Sequence, residues 1–149
     1  MATPSAAFKA QLRQAFERIS VGQTFTFRRT FTEGDLTAFC GITGDYNPYH
    51  IDEIFAQESW YSRRIVPGLL TGSMMTHIGG LLGFLATEMN FKFLAPVYVG
   101  DTITCMVTIE GKDEASRRVL ASTQYINQHG QVVLTAEFAG FPSQIRLAN

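Results

Sequence analysis

The sequence has almost no net charge, few cysteines and no basic tract. Its 149 residues carry 12 Lys and Arg against 13 Asp and Glu, which gives a net charge of -1. This balance, without basic residues interleaved with aromatics, gives no indication of nucleic-acid binding. The two cysteines, Cys40 and Cys105, lack the spacing of a metal or redox motif. We therefore predict no metal site and interpret both as reduced core residues of a cytoplasmic protein.

Charged residues are absent from one long stretch. Ile65 to Thr87 contains no Asp, Glu, Lys or Arg, a length that invites a membrane-span interpretation. Several glycines and His77 interrupt the stretch, however, and the rest of the chain is patterned like a water-exposed sheet. We therefore expect no membrane partner. The stretch predicts instead a buried helix from near Pro67 or Gly68 to about Thr87, wrapped by a sheet.

The N-terminal residues have no apolar segment suited to a secretory signal. Apolar side chains do recur at helical spacing between Phe8 and Ile19, accompanied by three basic residues. This pattern resembles a mitochondrial presequence, but a docking helix or a loose tail is the favoured interpretation. The length predicts one domain over residues 1–149, with residues 1–20 as its N-terminal helix or tail.

Alternating apolar and polar residues predict an antiparallel sheet in the rest of the chain. The predicted strands cover residues 24–31, 89–94, 103–109, 119–126 and 132–138. A capping sequence at Thr32 to Asp35 predicts a short helix that ends at Gly44, and a second short helix is expected within residues 51–57. One strand, short helices, one long helix and then a run of strands indicate an α+β architecture.

The most informative segment is the six residues 45–50, Asp-Tyr-Asn-Pro-Tyr-His. Pro48 disfavours helical backbone at Asn47, so the segment predicts a rigid, non-helical loop. A carboxylate and an imidazole on one such loop can hold a single water between them and act as a general acid/base pair. The alternative is a helix exit in which His50 has only a structural role.

The segment from Phe39 to His50, followed by the small residue Ala56, resembles the signature of the MaoC-like hydratase family. These are the (R)-specific enoyl thioester hydratases of the hot-dog fold. The likeness extends from about Val21 to about Gly140. It implies an antiparallel sheet wrapped around one long central helix. It also implies a hydro-lyase that adds water reversibly across the α,β double bond of an acyl thioester.

The resemblance assigns roles to individual residues. Asp45 and His50 would hold and activate the water. Gly68 would offer its backbone N–H, at a helix start, to the thioester oxygen. The family has a histidine before this glycine where this chain has Pro67, so we expect pocket shape or rate to differ from the family's. No separate cofactor is implied, because coenzyme A or phosphopantetheine is part of the substrate.

Four further residues are candidates for the same site. Asn47 is expected to fix the loop through its side-chain amide and is a secondary candidate for contacting the substrate. Thr76 has two interpretations: a hydrogen bond to the Asp45 carboxylate, or one to its own helix. Gly72 and Met75 are expected to line an acyl pocket along the helix. Besides these, Arg63 and Arg64 are candidates for coenzyme A phosphates or are simply solvated.

Two other functions compete with the hydratase. A hot-dog thioesterase would be expected to carry an acidic residue on the long helix or a facing strand, and residues 68–86 contain none. A non-catalytic acyl-thioester-binding subunit would be expected to lack Asp45 or His50. As partners we expect a second copy of the chain, because a hot-dog unit leaves a sheet edge unpaired. An acyl carrier protein is a possible further partner.

Overall fold

The computed structural model describes residues 2–146 and is built around one five-stranded antiparallel sheet. The strands run in the spatial order β1-β3-β4-β5-β2, and all neighbours are antiparallel. The strands are β1 Thr24–Thr30, β2 Leu85–Phe93, β3 Thr102–Asp113, β4 Arg118–Ile126 and β5 Val132–Phe141. The helices are α1 Ala6–Arg18, α2 Glu33–Thr43, α3 Pro48–Ile51, α4 Glu53–Gln57, α5 Gly68–Gly72 and α6 Met75–Leu82.

The core lies between the inner face of the sheet and the central helices. Alternate residues of β3, from Ile103 to Ile109, are almost completely buried. They share one cluster with Met75, Ile78 and Leu82 of α6. Each fully buried apolar side chain of this kind stabilises the fold by about 1.5–3 kcal/mol. The predicted α+β architecture, with a sheet around a central helical element, is confirmed as the hot-dog fold.

The central helical element differs from the predicted one in two ways. It consists of α5 and α6, joined at Ser73 and Met74 by helical residues with tighter i→i+3 hydrogen bonds. It also ends at Leu82, not near Thr87. Gly83 adopts a left-handed conformation with φ 57°, and the amide of the next residue bonds back to the Gly79 carbonyl at 2.8 Å. This is a glycine-terminated helix end, and strand β2 begins at once.

The N-terminal segment is a helix that docks on the domain. Phe16 and Ile19 are buried in the common core. The Lys112 ammonium lies 4.2 Å from the Phe16 ring centre and donates a hydrogen bond to the Ile19 carbonyl at 2.7 Å. Both contacts attach the end of α1 to β3. Over residues 2–146, no helix has the length and apolar character needed to cross a membrane.

Candidate active site

The loop that carries Asp45 is held in place by local capping. Gly44 ends α2 in a left-handed conformation, φ 73°, as predicted. Asn47 is extended, and its side-chain oxygen accepts a hydrogen bond from the Tyr49 amide at 3.2 Å. Pro48 then starts one helical turn, α3. The prediction of a non-helical loop therefore fails beyond Asn47, because an Asn cap followed by a first-turn proline is a favourable helix start.

The structure brings Asp45 and His50 together. His50 Nε2 lies 3.7 Å from Asp45 Oδ2. This is too long for a direct hydrogen bond, yet one water at about 2.8 Å from each atom spans it. The His50 side chain is only 11% exposed, whereas the Asp45 side chain is 45% exposed. The pair therefore has one solvent-facing and one buried member.

Ile65 fixes the orientation of the imidazole. His50 Nδ1 lies 2.8 Å from the Ile65 carbonyl oxygen, and the Ile65 amide donates to the Tyr49 carbonyl at 3.0 Å. A carbonyl only accepts, so Nδ1 must carry a proton. In the neutral imidazole, Nε2 is then the acceptor, and it is the nitrogen that faces Asp45.

Arg64 ties the surrounding elements together. Its guanidinium makes two bonds to the Glu33 carboxylate, at 2.8 and 2.9 Å, and one to Glu53 at 3.0 Å. The hydrogen bond from Arg64 lowers the pKa of Glu33. Arg64 is thus an internal clamp between α2 and α4, not a solvated residue. Arg63 differs: its guanidinium lies 4.0 Å from the Tyr98 ring centre.

An apolar cleft of about 640 Å³ opens beside Asp45. Its walls include Val66, Phe93, Val97 and Leu134, and Gly68 also lines it, at the start of α5. The Gly68 amide belongs to the first helical turn and has no backbone acceptor among the described residues. A Cβ at Gly68 would lie 2.6 Å from the Phe93 ring, so only glycine fits without movement of that ring.

Three other predicted site residues lie away from this cleft. Thr76 is exposed and donates to the Ser73 carbonyl at 2.7 Å, which is the second of its two interpretations. Gly72 is buried, and a Cβ there would meet the Phe91 ring at 2.9 Å. Met75 is a core residue, 3% exposed. Contrary to expectation, neither Gly72 nor Met75 lines the cleft, because the Phe91 ring lies over Gly72 and Met75 belongs to the hydrophobic core.

Two cleft residues were missed from the sequence. Thr43 lines the cleft, and its hydroxyl accepts a hydrogen bond from the Asp45 amide at 3.2 Å. Thr71 also lines it, is 1% exposed, and has no hydrogen-bond partner for Oγ1 in residues 2–146. The sequence could have indicated Thr71 as a cleft residue, because it lies three residues after Gly68 and residues three apart share one helix face.

Both cysteines are free and buried. Burial, and to a lesser extent the negative charge of Asp45, raise the pKa of the Cys40 thiol. Burial raises the pKa of Cys105 to about 12. Both thiols therefore stay protonated, as expected of core cysteines. The part of the chain that the structure describes contains no cluster of three or more His, Cys, Asp or Glu residues suited to a metal ion.

A hot-dog domain with a polar pair beside an apolar cleft defines the class of this protein, and comparison with known proteins identifies the family. The family model described as MaoC like domain matches residues 3–130. The chain belongs to this family.

Individual relatives are similar over most of their length. The (R)-specific enoyl-CoA hydratase of Aeromonas caviae is 30% identical over 130 residues, which cover 81% of this chain and 93% of that protein. A mitochondrial 3-hydroxyacyl-[acyl-carrier-protein] dehydratase of Arabidopsis thaliana is 28% identical over 78% of this chain and 72% of that protein. The unliganded R-hydratase PhaJ1 of Pseudomonas aeruginosa superposes with a TM-score of 0.80 at 25% identity, covering 90% of this chain and 91% of that one.

Proposed function

We propose that this chain hydrates enoyl thioesters reversibly to (R)-3-hydroxyacyl thioesters and that Asp45 and His50 activate the water. As a member of the MaoC-like family, the chain is a hydro-lyase that acts on acyl thioesters. The observation that supports the role of the pair is the 3.7 Å separation of His50 Nε2 and Asp45 Oδ2 at the edge of an apolar cleft. That gap fits one water, and the cleft is suited to an acyl chain.

In the proposed reaction the water oxygen bonds to C3 of the enoyl group. One water proton passes to the Asp45 and His50 pair, and the pair returns a proton to C2. Electron density moves onto the thioester oxygen before C2 is protonated, and a hydrogen bond from the Gly68 amide stabilises this oxygen. Because the two side chains share one water, they act as a coupled unit, and the transferred proton belongs to the pair.

Asn47 and Thr76 have different places in this proposal. Asn47 positions the pair through the turn, since its own amide donates to Asp45 Oδ1 at 3.3 Å and its side chain caps α3. Thr76 has no part in activating the water, because its hydroxyl is bonded within its own helix. Pro67, in place of the family histidine, is buried in the cleft wall, where its carbonyl accepts from the amides of Leu70 and Thr71.

Crotonyl-CoA is the substrate that tests the proposal. We expect loss of the enoyl absorbance without release of free thiol, and oxidation of the product only by an (R)-specific 3-hydroxyacyl dehydrogenase. Thiol release without hydration would indicate the thioesterase instead, although α5 and α6 carry no carboxylate. Binding without either reaction would indicate an acyl-thioester-binding subunit. A parallel assay with crotonyl-loaded acyl carrier protein decides which carrier is preferred.

We also propose that the chain forms a homodimer through strand β2. Within residues 2–146, both outer strands, β1 and β2, have an unpaired edge, but their surfaces differ. Strand β2 exposes the apolar residues Leu85, Met89 and Phe93 beside Glu88 and Lys92, whereas the exposed residues of β1 are all threonines and arginines. An edge strand with exposed large apolar side chains is a more favourable surface for pairing with a second chain than one that exposes only polar and charged side chains.

Sedimentation at micromolar concentration is expected to give the mass of two chains. Met89→Lys should shift the mass towards one chain, because it places a charge on the apolar edge of β2. Thr26→Lys, the matched change on β1, should leave the mass unchanged. A wild-type mass of one chain, or an equal effect of both variants, would contradict pairing through β2.

A further inference from the structure

Two acceptors compete for the single proton of the neutral His50 imidazole. The Ile65 carbonyl oxygen lies 2.8 Å from Nδ1, and Asp45 Oδ2 lies 3.7 Å from Nε2. Each acceptor favours a proton on the nitrogen that it faces. With the proton on Nδ1, Nε2 has a free lone pair, so the pair can accept a water proton at this nitrogen. With the proton on Nε2, only the carboxylate remains as an acceptor.

The position of the Ile65 carbonyl therefore determines whether the imidazole can take part as a base. Ile65 lies in the segment between α4 and α5, outside the named helices and strands. It forms a bridge to Tyr98, and its amide donates to the Tyr49 carbonyl at 3.0 Å. Connecting segments are more mobile than the elements that they join. The contact between this carbonyl and His50 therefore depends on what else anchors the segment.

Arg64, the residue before Ile65, anchors the same segment to the helices around the pair. Its guanidinium donates to Glu33 on α2 at 2.8 and 2.9 Å and to Glu53 on α4 at 3.0 Å. Nη1 also lies 3.5 Å from the His50 carbonyl oxygen. Helix α2 leads into the loop with the acidic member of the pair, and α4 follows directly on α3, which carries the imidazole.

The geometry of the Arg64 guanidinium is suited to holding a position. A bidentate pair between a guanidinium and a carboxylate fixes orientation as well as charge. The side chains of Glu33 and Glu53 are 54% and 49% exposed, and ion pairs of such exposed groups contribute little to the stability of a fold. We therefore expect the loss of Arg64 to displace the Ile65 carbonyl more than it destabilises the domain.

We propose that Arg64 is a positioning residue that keeps the proton of His50 on Nδ1, by holding the Ile65 carbonyl against the imidazole. The inference rests on the proposed function only in assigning a water to the pair, because the position of the proton does not depend on turnover. Arg64 does not line the cleft, so its effect is on the base and not on substrate binding.

Nuclear magnetic resonance of the ¹⁵N-labelled protein locates the proton without any turnover. Long-range ¹H–¹⁵N spectra at about pH 8.5, above the ordinary titration range of histidine, distinguish the two neutral tautomers. The His50→Ala spectrum identifies the His50 signals among those of three histidines. We expect the wild type to carry the proton on Nδ1. In Arg64→Ala the Nε2 signal should shift towards that of a protonated nitrogen, because the Asp45 carboxylate then attracts the proton.

Two additions test whether the guanidinium itself is responsible. Ethylguanidinium added to Arg64→Ala should return the Nε2 signal towards its wild-type position. Arg64→Lys should behave like Arg64→Ala, because an ammonium is a point charge that does not grip two carboxylates in one plane. If Arg64→Ala impairs folding, the double variant Glu33→Gln and Glu53→Gln, which keeps the arginine and removes the charge of both its partners, should cause the same shift.

Steady-state kinetics supply the second readout. Arg64→Ala should lower kcat for crotonyl-CoA hydration by on the order of 10–10²-fold, the effect of a slightly misplaced catalytic group, and leave KM nearly unchanged. Ethylguanidinium should recover part of kcat. A rise in KM at unchanged kcat would overturn the proposal, because Arg64 would then act on substrate binding.

Arg29 provides the matched control. It forms an ion pair with Asp35, which also lies on α2, but its guanidinium lies near the Phe31 ring and its own residue belongs to β1. Arg29→Ala should therefore change neither the His50 signals nor kcat. A proton that stays on Nδ1 in Arg64→Ala would overturn the proposal. An equal shift in Arg29→Ala would also overturn it, because the loss of any ion pair on α2 would then be sufficient.

The two readouts separate this proposal from the proposed hydration. A protein that hydrates crotonyl-CoA, but in which the proton of His50 stays on Nδ1 without Arg64, supports the hydratase and rejects the role of Arg64. A protein in which the proton moves in Arg64→Ala, but whose wild type does not hydrate crotonyl-CoA, supports the role of Arg64 and rejects the hydratase.

Discussion

Asp45→Asn is expected to lower kcat for hydration of crotonyl-CoA by on the order of 10³-fold, and His50→Ala by a similar factor, since each removes one general acid/base group. Asparagine keeps the shape of the side chain and the oxygen that accepts from the Asn47 amide, so the turn should persist. What it removes is the charge that faces His50 Nε2 across 3.7 Å. Steady-state kinetics of both variants check the prediction.

The double variant should be little worse than either single variant. Two groups that act on one water form a unit, and effects within a unit are far from additive. Asp52→Asn is the matched control: Asp52 is near in sequence and caps α4 by accepting from the Phe55 amide at 3.0 Å. Asparagine caps helices about as well as aspartate, so activity should remain. Near-normal turnover by Asp45→Asn would show that the loop has only a structural role.

The parts of the fold that were predictable depend on local chemistry. Thr32 and Asp35 form the capping box expected of their spacing, and Gly44 has the left-handed conformation that ends α2. Strands β3 and β4 lie where alternating residues predicted them, and buried and exposed residues alternate along both, because a sheet with one buried face enforces a period of two. These features need no knowledge of distant residues.

The boundary between the central helix and β2 was not predictable in this way. Apolar, glycine-containing residues are compatible with either structure, so periodicity alone did not identify the end at Leu82. The boundary is set by pairing across the sheet, in which Leu85 pairs with Phe141 and Ala86 with Gly140. A Cβ at Gly140 would lie 2.1 Å from the Leu85 carbonyl oxygen, so this pairing requires a glycine more than fifty positions away.

In the candidate site, too, local features were predictable and features that depend on distant residues were not. Asp45 and His50 were recognisable because their spacing within one segment brings them together. The direction of the cleft was not recognisable from the sequence, because it depends on where the Phe91 and Phe93 rings of β2 cover the helix. Thr71 was missed for a related reason: a helical hydroxyl has its own carbonyls available, and only the folded structure leaves this one without a partner.

Gly68→Ala is expected to lower kcat/KM for crotonyl-CoA hydration by about 10²-fold, the effect of impairing one oxyanion donor. The added Cβ would lie 2.6 Å from the Phe93 ring. Phe93 is 55% exposed in the single chain, which leaves its ring room to turn aside, so the loss should appear in activity more than in stability. The added Cβ and the displaced ring then obstruct the approach of the thioester to the Gly68 amide and narrow the cleft beside it.

Two further variants determine whether contact between the added Cβ and the Phe93 ring causes the loss of activity. Gly80→Ala lies in α6, where an added Cβ meets no atom within 4 Å. It should leave kcat/KM unchanged and raise the free energy of unfolding by about 0.5–1 kcal/mol, since alanine is the better helix former. Gly68→Ala combined with Phe93→Ala makes room for the Cβ and should recover part of the lost activity. Unchanged kcat/KM in Gly68→Ala would show that the thioester oxygen is not bound at this amide.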